Sequence, residues 1–268
     1  MLVCAVAATA AAPAIPTPDP YTAAVLASRP AGFWSFDDAA GTRVARDGVA
    51  PRANGRYAGA SRIAGVVGSA RRFDGRATFA VIPPSPAWSQ PTTGRLTVEF
   101  WLRPDALVFP HEEGSGYVWV LGKGEPGRQE WGFRMYGADN REQRGNRIAF
   151  YAFNPRGGEG AGAYFEQPVV PGRWLYVVGE LTPVGVRIYC DGVLRQGPPA
   201  RATLYSNPAY GILPRAGSAP VRVGTRNFGS FFAGAIDELA IYPHLLSARQ
   251  IRRHYELALA ARPSLRGG

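Results

Sequence analysis

Lysine is almost absent from this sequence. Lys123 is the single lysine among 30 positively charged residues, so the formal net charge of +10 is carried by arginine. The arginines are spread along the chain and never form a run of five or more. Because neither a basic helix nor a recognised nucleic-acid module accompanies this charge, we expect no specific nucleic-acid partner, only a weak attraction to acidic polymers.

Cysteine is also scarce, with only Cys4 and Cys190. Cys4 lies in an apolar, alanine-rich stretch that is followed by a proline-rich segment, although the start lacks the positive charge typical of a secretory signal. We interpret residues 1–20 as an export signal and linker, which predicts a secreted, extracellular protein. Removal of this segment leaves Cys190 alone, so no intrachain disulfide is expected. No later run approaches the roughly 18 apolar residues of a membrane span.

Recognisable catalytic motifs are missing. The sequence contains no Gly-x-Ser-x-Gly elbow, no His-Glu-x-x-His zinc motif and no phosphate-binding loop. Glu112 and Glu113 are adjacent in a glycine-flanked segment that we interpret as a solvated loop. His254 is isolated and is predicted to lie on an exposed helix. We therefore assign no catalytic residue, and catalysis is disfavoured.

Glycine, proline and aromatic residues are abundant, with 33 Gly, 24 Pro, 13 Phe, 12 Tyr and 6 Trp. This composition suits many short strands joined by tight turns. One domain over residues 21–260 is predicted, followed by a loose tail over 261–268. The predicted strands are Gly32–Phe36, Ala70–Phe73, Thr78–Ile82, Leu96–Arg103, Tyr117–Gly122, Trp131–Tyr136, Arg147–Phe153, Ala163–Glu166, Trp174–Leu181, Val186–Cys190, Val221–Gly224 and Ala233–Tyr242.

Two local patterns support an all-β domain that ends in a helix. Along Leu96–Arg103, apolar residues at every second position predict that one face of the strand belongs to a core. Ser247 is followed three residues later by Gln250, the capping-box pattern that begins a helix. The spacing of Ile251 and Tyr255 then predicts one short amphipathic helix over 247–260, packed on the outside of the sandwich.

Five stretches, in this order, resemble the laminin-G-like jelly-roll domains of the concanavalin A-like lectin/glucanase superfamily. They are Phe33-Trp-Ser-Phe-Asp-Asp38 with Gly41-Thr42, Arg72-Phe-Asp-Gly75, Thr97-Val-Glu-Phe-Trp-Leu-Arg-Pro104, Arg173-Trp-Leu-Tyr-Val-Val178 with Val186-Arg-Ile-Tyr-Cys-Asp-Gly-Val193, and Phe232-Ala-Gly-Ala-Ile-Asp-Glu-Leu-Ala-Ile-Tyr242. The resemblance implies a two-sheet antiparallel jelly-roll β-sandwich with a short C-terminal helix. It places the first and last strands side by side, with Phe36 and Ile236 buried in one core.

The resemblance also implies a structural calcium ion. In similar sandwiches an Asp of the last long strand and oxygen atoms near the first strand hold the ion, and Asp237 matches that Asp. Asp37, Asp38 and the carbonyl of Gly41 are the other expected ligands. The alternative is that Asp237 caps backbone amides or pairs with an arginine.

The middle strands and their loops combine aromatic residues with polar edges, a combination that suits stacking against sugar rings. Ordinary sheet packing is the alternative interpretation for each residue. The candidate ligand-binding residues are Trp131, Arg134, Tyr136, Asn140, Tyr151, Asn154 and Asn227.

The function favoured by these observations is a secreted, non-catalytic module that recognises a glycan or glycoconjugate. A polysaccharide hydrolase or lyase of the same fold is the first alternative, although the Glu-x-Asp-x-(x)-Glu strand of the related glycosidases is missing. The second alternative is an adhesion module that binds an extracellular protein, because laminin-G-like domains also bind proteins.

Overall fold

The computed structural model describes residues 18–124, 129–153, 160–165, 167–195 and 217–262. Within these ranges the chain forms two eight-stranded antiparallel sheets and a few helices. In chain order the elements are α1 Pro20–Ala27, β1 Gly32–Trp34, β2 Val44–Ala45, β3 Gly55–Ala58, β4 Ser61–Ala64, β5 Ser69–Asp74, β6 Phe79–Ile82, a 3₁₀ turn Pro86–Trp88, α2 Gln90–Thr93, β7 Leu96–Pro104, β8 Tyr117–Lys123, β9 Trp131–Tyr136, β10 Ile148–Phe153, β11 Gly160–Tyr164, β12 Leu175–Leu181, β13 Val186–Cys190, β14 Val193–Leu194, β15 Val221–Val223, β16 Ala233–Tyr242 and α3 Ala248–Ala261.

The strands are divided between two sheets in a jelly-roll sandwich, as the resemblance implied. The first sheet has the order β14-β13-β12-β7-β16-β5-β4, with β1 also pairing with β16. The second sheet has the order β11-β10-β9-β8-β15-β6-β3-β2. Every pair of neighbouring strands is antiparallel, so each sheet can present one face to the common core and the other away from it.

The core between the sheets is built by residues at alternate positions of the strands. In β7 the four apolar residues Leu96, Val98, Phe100 and Leu102 are fully buried in it, which confirms the predicted face. Phe100 packs edge-on against Phe133 of the second sheet, with ring centroids 4.8 Å apart. The core is therefore closed by aromatic contacts between the two sheets.

The opposite face of the first sheet is also buried, because helices α1 and α3 lie over it. Trp101 of β7 points to this side and stacks on Tyr255 of α3, with ring centroids 5.8 Å apart. The Ser247 capping box is present and begins α3, as predicted. Helix α1 was not predicted; Asp19 caps it by accepting hydrogen bonds from the amides of Tyr21 and Thr22. No helix among the described residues is long and apolar enough to cross a membrane.

The first and last strands lie side by side, as the resemblance implied. Gly32 of β1 is opposite Ile241 of β16, and Phe36 and Ile236 are buried in the same core. The four strands that the sequence did not predict are β2, β3, β4 and β14, which have four residues or fewer. Strand β4 has no fully buried residue, so it carries no hydrophobic pattern to detect.

Strand β16 contains a β-bulge that changes the direction of two acidic side chains. The register with β7 shifts between Asp237 and Ala240, and Glu238 has a φ of +55°. Ile236 and Leu239 point into the core between the sheets, while Ala240 belongs to the helix-covered face. The extra residue leaves both Asp237 and Glu238 between two inward-pointing residues and therefore directs them to the helix-covered side.

A buried polar network ties both helices to the first sheet, which corrects the predicted exposure of His254. His254 has only 1% of its surface exposed, and its Nδ1 lies 3.0 Å from Oε2 of Glu99. The hydroxyl groups of Tyr176 and Tyr242 also donate to Glu99. The Nε2 of His254 lies 3.1 Å from the Ser28 hydroxyl at the end of α1.

This chain of contacts has the composition of a nucleophilic triad, but its hydrogen bonds indicate a structural role. The Ser28 hydroxyl donates to the carbonyl of Ala24 at 3.0 Å, so its proton is not directed to His254. A protonated His254 then satisfies every partner, with one N–H directed to Glu99 and the other to Ser28. Burial alone would lower the pKa of His254, but the charge of Glu99 and its hydrogen bond outweigh burial and raise that pKa.

We expect this ion pair to make stability depend on pH. Since the folded pKa of His254 is raised, its contribution is complete below the ordinary histidine pKa of about 6.5 and is lost as pH rises through the folded pKa. The difference in melting temperature between parent and His254→Gln protein should therefore be largest near pH 6 and shrink toward pH 9. Thermal unfolding across this range measures it. His111→Gln, at an exposed position, is the control, and a difference independent of pH would contradict the ion pair.

Candidate functional site

The outer face of the second sheet is lined with aromatic side chains. Alternation along β8, β9 and β10 sends Val118, Phe133 and Phe150 into the core and their neighbours outward. We call the outward rings the aromatic face. Its members are Tyr117, Trp119, Tyr136, Tyr151, Phe153 and Tyr164.

Two glycines allow these rings to lie along the sheet. A Cβ on Gly132 would come within 2.2 Å of the Trp119 ring, and a Cβ on Gly162 within 2.4 Å of the Tyr151 ring. Each glycine therefore supplies the space that a neighbouring ring occupies, because no real side chain tolerates such a contact. The rings form a layer on the strands in which neighbours meet at different angles, from 19° for Tyr151 and Phe153 to 83° for Tyr151 and Tyr164.

Arginine guanidinium groups lie on top of this layer. The guanidinium of Arg134 is 4.2 Å from the ring centroid of Tyr117, 4.5 Å from that of Tyr151 and 5.0 Å from that of Phe153. Arg144 lies over Tyr164 at 4.9 Å, and Arg226 over Trp119 at 5.3 Å. Cation–π attraction holds these groups in place. As a result, each ring of the aromatic face retains 8% or less of its exposed surface.

Three tyrosine hydroxyl groups meet beneath Arg144. The hydroxyl of Tyr136 lies 2.9 Å from that of Tyr151 and 3.3 Å from that of Tyr164. The Nη1 of Arg144 lies 3.4 Å from the hydroxyls of Tyr136 and Tyr151. Burial, followed by the electrostatic influence of Tyr136, raises the pKa of Tyr151 well above its ordinary value. This cluster therefore offers neutral hydroxyl groups beside a positive charge.

The loop that follows β15 forms one rim of the face. Arg226 donates to Glu113, which also accepts from the hydroxyl of Ser230 at 2.6 Å. The interpretation of Glu113 as a solvated loop residue was therefore wrong, because only 9% of its side chain is exposed. Glu113 fixes the loop by holding Arg226 and Ser230 together.

Phe228 lies at the tip of this loop, and its ring is exposed to solvent, unlike the rings of the aromatic face. Half of its surface is exposed, and its φ is +64°, a left-handed conformation that is uncommon for a bulky residue. The ring packs edge-on against Phe79 of β6, with centroids 5.0 Å apart, and Arg222 lies 4.8 Å from its centre. Backbone strain of this kind clusters at functional sites, so Phe228 is a candidate for contact with a ligand.

The structure separates one predicted ligand-binding residue from the others. Trp131 is fully buried in the core between the sheets, and its Nε1 donates to the carbonyl of Trp88 at 2.8 Å. Its assignment to a sugar-binding surface is therefore corrected. The physical reason is the two-residue period of a strand, which puts Trp131 on the opposite face of β9 from Arg134 and Tyr136.

The remaining predicted residues gather at or near the aromatic face. Arg134, Tyr136 and Tyr151 belong to it or lie directly on it. The Oδ1 of Asn140 accepts from the amides of Glu142 and Arg144 at 3.0 Å, so Asn140 shapes the loop that carries Arg144. Asn227 is exposed beside Phe228. Asn154 lies outside the described residues.

Sequence reasoning missed Tyr117 and Trp119 of β8, Phe153 of β10, and the arginines Arg144 and Arg226. The signal was present in β8, where two large aromatics alternate with Val118 and Val120. An alternation of aromatic and aliphatic residues distinguishes the two faces of a strand even when both are buried. The position of the arginines over the rings depends on loops that the sequence pattern does not describe.

The predicted metal ligands Asp37 and Asp237 meet at the turn over residues 65–68. Oδ2 of Asp237 accepts from the amides of Val66 and Val67 at 2.7 and 3.3 Å. Asp37 accepts from the amide of Ser69 at 2.6 Å. Asp237 is therefore an amide cap, the alternative that the sequence left open.

Buried carboxylate oxygens nevertheless remain without partners here. Oδ1 of Asp237 and both carboxylate oxygens of Glu238 are buried and have no hydrogen-bond partner among the described residues. Burial is the main reason that the pKa values of Asp237 and Glu238 are well raised, and the charge of Asp37 adds to it. Oxygen atoms of this kind fit a hard cation such as calcium.

Among the described residues, the other two predicted metal ligands, Asp38 and Gly41, make no hydrogen bond to the turn over residues 65–68, where Asp37 and Asp237 meet. Asp38 accepts from the hydroxyl of Tyr57 at 2.8 Å and pairs with Arg46. Gly41 lies in an open turn, with a φ of +77°. Asp37 and Asp38 line a cleft of about 540 Å³. No group of three or more His, Cys, Asp or Glu side chains within the described ranges is arranged to hold a metal, so the four predicted ligands do not form one shell.

These features define an antiparallel jelly-roll sandwich whose second sheet carries an arginine-covered aromatic face. A family model, Laminin_G_3, described as the concanavalin A-like lectin/glucanases superfamily, matches residues 74–252. The chain belongs to this family. A search of curated protein sequences finds no match.

Solved structures with the same fold include proteins of several kinds. Domain 4 of AbnA, a GH43 extracellular arabinanase from Geobacillus stearothermophilus solved with arabinotriose, is 16% identical with a TM-score of 0.58; the match covers 84% of this chain and 97% of that domain. The receptor-binding domain of a botulinum neurotoxin C/D mosaic is 11% identical with a TM-score of 0.56, covering 85% of this chain and 51% of that one. A Trypanosoma rangeli sialidase in complex with sialic acid is 17% identical with a TM-score of 0.57. That match covers 84% of this chain and 32% of the sialidase. At these identities the likeness establishes the fold alone.

The close approach of Gly132 to Trp119 can be tested directly. In Gly132→Ala protein the Trp119 ring must leave its place on the sheet, and we expect a destabilisation of about 1–3 kcal/mol together with a changed near-ultraviolet circular dichroism spectrum. Gly41→Asn is the control, because nothing lies within 4 Å of an added Cβ there and asparagine tolerates its positive φ. Unchanged stability and spectrum for Gly132→Ala would show that Trp119 does not lie over Gly132.

Proposed function

We propose that this protein is a secreted, non-catalytic module that binds a glycan on the outer face of its second sheet. The observation that carries the proposal is the exposed ring of Phe228, held at the rim of a layer of aromatic rings and arginines. A sugar ring offers C–H groups to the face of an aromatic and hydroxyl groups to nearby N–H and O–H donors. Phe228 supplies the first contact, and Asn227 with the surrounding arginines supplies the second.

The relatives in fold support a glycan as the ligand class. The arabinanase domain, matched over 97% of its length, was solved with arabinotriose, so this sandwich is compatible with carbohydrate recognition. The sialidase was solved with sialic acid, and the match covers 32% of it. The same fold serves a toxin's receptor-binding domain. Fold likeness alone does not assign a function, and the proposal therefore depends on the surface of this chain.

A retention experiment with an exposed-residue variant tests the proposal. The parent should be retained by at least one member of a polysaccharide panel that includes arabinan, and Phe228→Ala should weaken that retention by roughly fivefold, since a stacked ring contributes about 1 kcal/mol. Val184→Ala, an exposed apolar residue in the turn between β12 and β13, should bind like the parent. Affinity electrophoresis measures all three proteins, and melting curves verify that they are folded.

The same incubations distinguish the alternatives. New reducing ends or unsaturated products would place the protein among polysaccharide hydrolases or lyases. Equal retention of parent and Phe228→Ala protein would contradict the location of the site. Failure of every polysaccharide, combined with binding to an extracellular protein, would instead support the adhesion module.

We also propose that a calcium ion neutralises the buried carboxylates of the bulge in β16. The ligands would be the carboxylates of Asp237 and Glu238; the charge of Asp37 acts on both, but Asp37 is not counted as a third ligand. The support is that three of their carboxylate oxygens are buried without partners among the described residues. Two adjacent buried carboxyl groups repel each other when ionised, and a divalent cation removes that cost.

Calcium should therefore stabilise the folded protein. An ion that binds only the folded state raises the free energy of unfolding by RT ln(1 + [L]/Kd), so adding calcium to metal-free protein should raise the melting temperature. Asp237→Asn should abolish the increase. Asp38→Asn should keep it, because Asp38 contacts Tyr57 and Arg46 instead. No increase in the parent would argue against the ion, and loss of the increase in Asp38→Asn as well as in Asp237→Asn would restore the ligand set predicted from the sequence.

A further inference from the structure

The charge of Arg134 has no counterion in the part of the chain that the structure describes. Arg134 lies in the middle of β9, opposite Trp119 of β8 and Ala149 of β10. Its guanidinium touches three aromatic rings, and no carboxylate of the described residues forms an ion pair with it. Its Nε is buried without a hydrogen-bond partner there. Cation–π contacts hold this guanidinium and its side chain hydrogen-bonds to Tyr136, but no described carboxylate balances its charge, so an anion would add a stabilising partner.

The carboxylates closest to the other arginines are already engaged. Glu113 pairs with Arg226 and accepts from Ser230. Glu142 pairs with Arg144 at 2.7 Å, and its side chain is 44% exposed. Neither Glu113 nor Glu142 is paired with Arg134. Because Glu142 is partly exposed, water or a ligand can replace it as the partner of Arg144. The positive charge at the centre of the face is therefore available to a ligand.

The geometry of the guanidinium favours a planar anion. The guanidinium of Arg134 lies over the rings of Tyr117 and Tyr151, one of its N–H groups bonds to the hydroxyl of Tyr136, and its other N–H groups lie along the edges of the planar group. These edges can form two parallel hydrogen bonds to a carboxylate. The hydroxyl groups of Tyr136 and Tyr151 lie next to Arg144 and are hydrogen-bonded to each other at 2.9 Å, so one of them donates to the other and the second retains its proton for an anion.

The tyrosines do not supply the missing negative charge themselves. Burial is the main cause of the raised pKa of Tyr117 and of Tyr151, so both hydroxyl groups are neutral at physiological pH. Neutral hydroxyls repel no anion and act as donors. Among the described residues, an arginine with no paired carboxylate lies near an exposed ion pair and neutral donors, a combination that suits an anion.

We propose that the sugar bound at the aromatic face is acidic, and that Arg134 and Arg144 bind its carboxylate. The proposal rests on the glycan-binding function proposed above and names the class of sugar, a uronic or other carboxylate-bearing residue within a polysaccharide. Phe228 would contact a neighbouring ring, whereas the arginines would select the charged one.

Four acidic polysaccharides test this proposal: polygalacturonate, alginate, hyaluronan and polysialic acid. Each is compared with its own methyl-esterified form, which keeps the sugar rings and removes the charge. The parent should prefer the free acid of at least one polymer by tenfold or more. Arg144→Gln and Arg134→Met should each reduce that preference at least fivefold. Arg249→Gln, on the exposed side of α3, should leave it unchanged.

The outcomes distinguish the acidic-sugar proposal from the glycan proposal. Equal retention of acid and ester for all four polymers, with retention still sensitive to Phe228→Ala, would leave the glycan site standing and overturn the carboxylate. A stronger preference for dextran sulfate than for every free acid would show that the anion is not a carboxylate. An equal loss in Arg249→Gln would show that net charge alone explains retention. If Arg134→Met fails to fold, Arg144→Gln and the esters still decide the question.

Discussion

The pairing of β16 with three other strands is the constraint on which the remaining structure depends. β16 contacts β7 along most of its length, β5 at one end and β1 at the other. It therefore joins the beginning and the end of the described chain in the first sheet. The bulge in the same strand then sets which side chains face the core and which face the helices. A slip of one residue in this strand would exchange those two faces and place acidic groups in the core.

Sequence patterns were informative where the structure of a residue depends on neighbours at a fixed spacing along the chain. The alternation in Leu96–Leu102 identified a core face, and the Ser247–Gln250 pair identified the start of α3. The same patterns did not predict that helices α1 and α3 cover the outer face of the first sheet. Glu99 and His254 are far apart in sequence and look like surface residues in isolation. They are buried together because two helices pack over the sheet, which is a tertiary effect that a local pattern does not contain.

The candidate site illustrates a different limit. Tyr136 and Tyr151 were recognised and lie together, whereas Trp131 was grouped with them although its parity along β9 excludes it. Strict use of the two-residue period would have replaced Trp131 with Trp119. Phe228 had no such signal, because its exposure depends on a loop held by Glu113 and Arg226. Similarly, the resemblance pointed to Asp237, whereas the burial of Glu238 beside it follows from a bulge that the sequence pattern does not contain.

The single lysine has a consequence for handling the protein. Lys123 is fully buried, where its ammonium group donates to Glu130 and to the carbonyl of Gly217. Glu130 in turn accepts from the hydroxyl of Ser89 at 2.7 Å, so the pair is enclosed by neighbouring groups. A folded molecule thus offers no accessible side-chain amine to acylating reagents or aldehydes. Amine-directed labelling of side chains in this sequence therefore requires unfolding, and the arginine-covered face stays chemically intact during such a reaction.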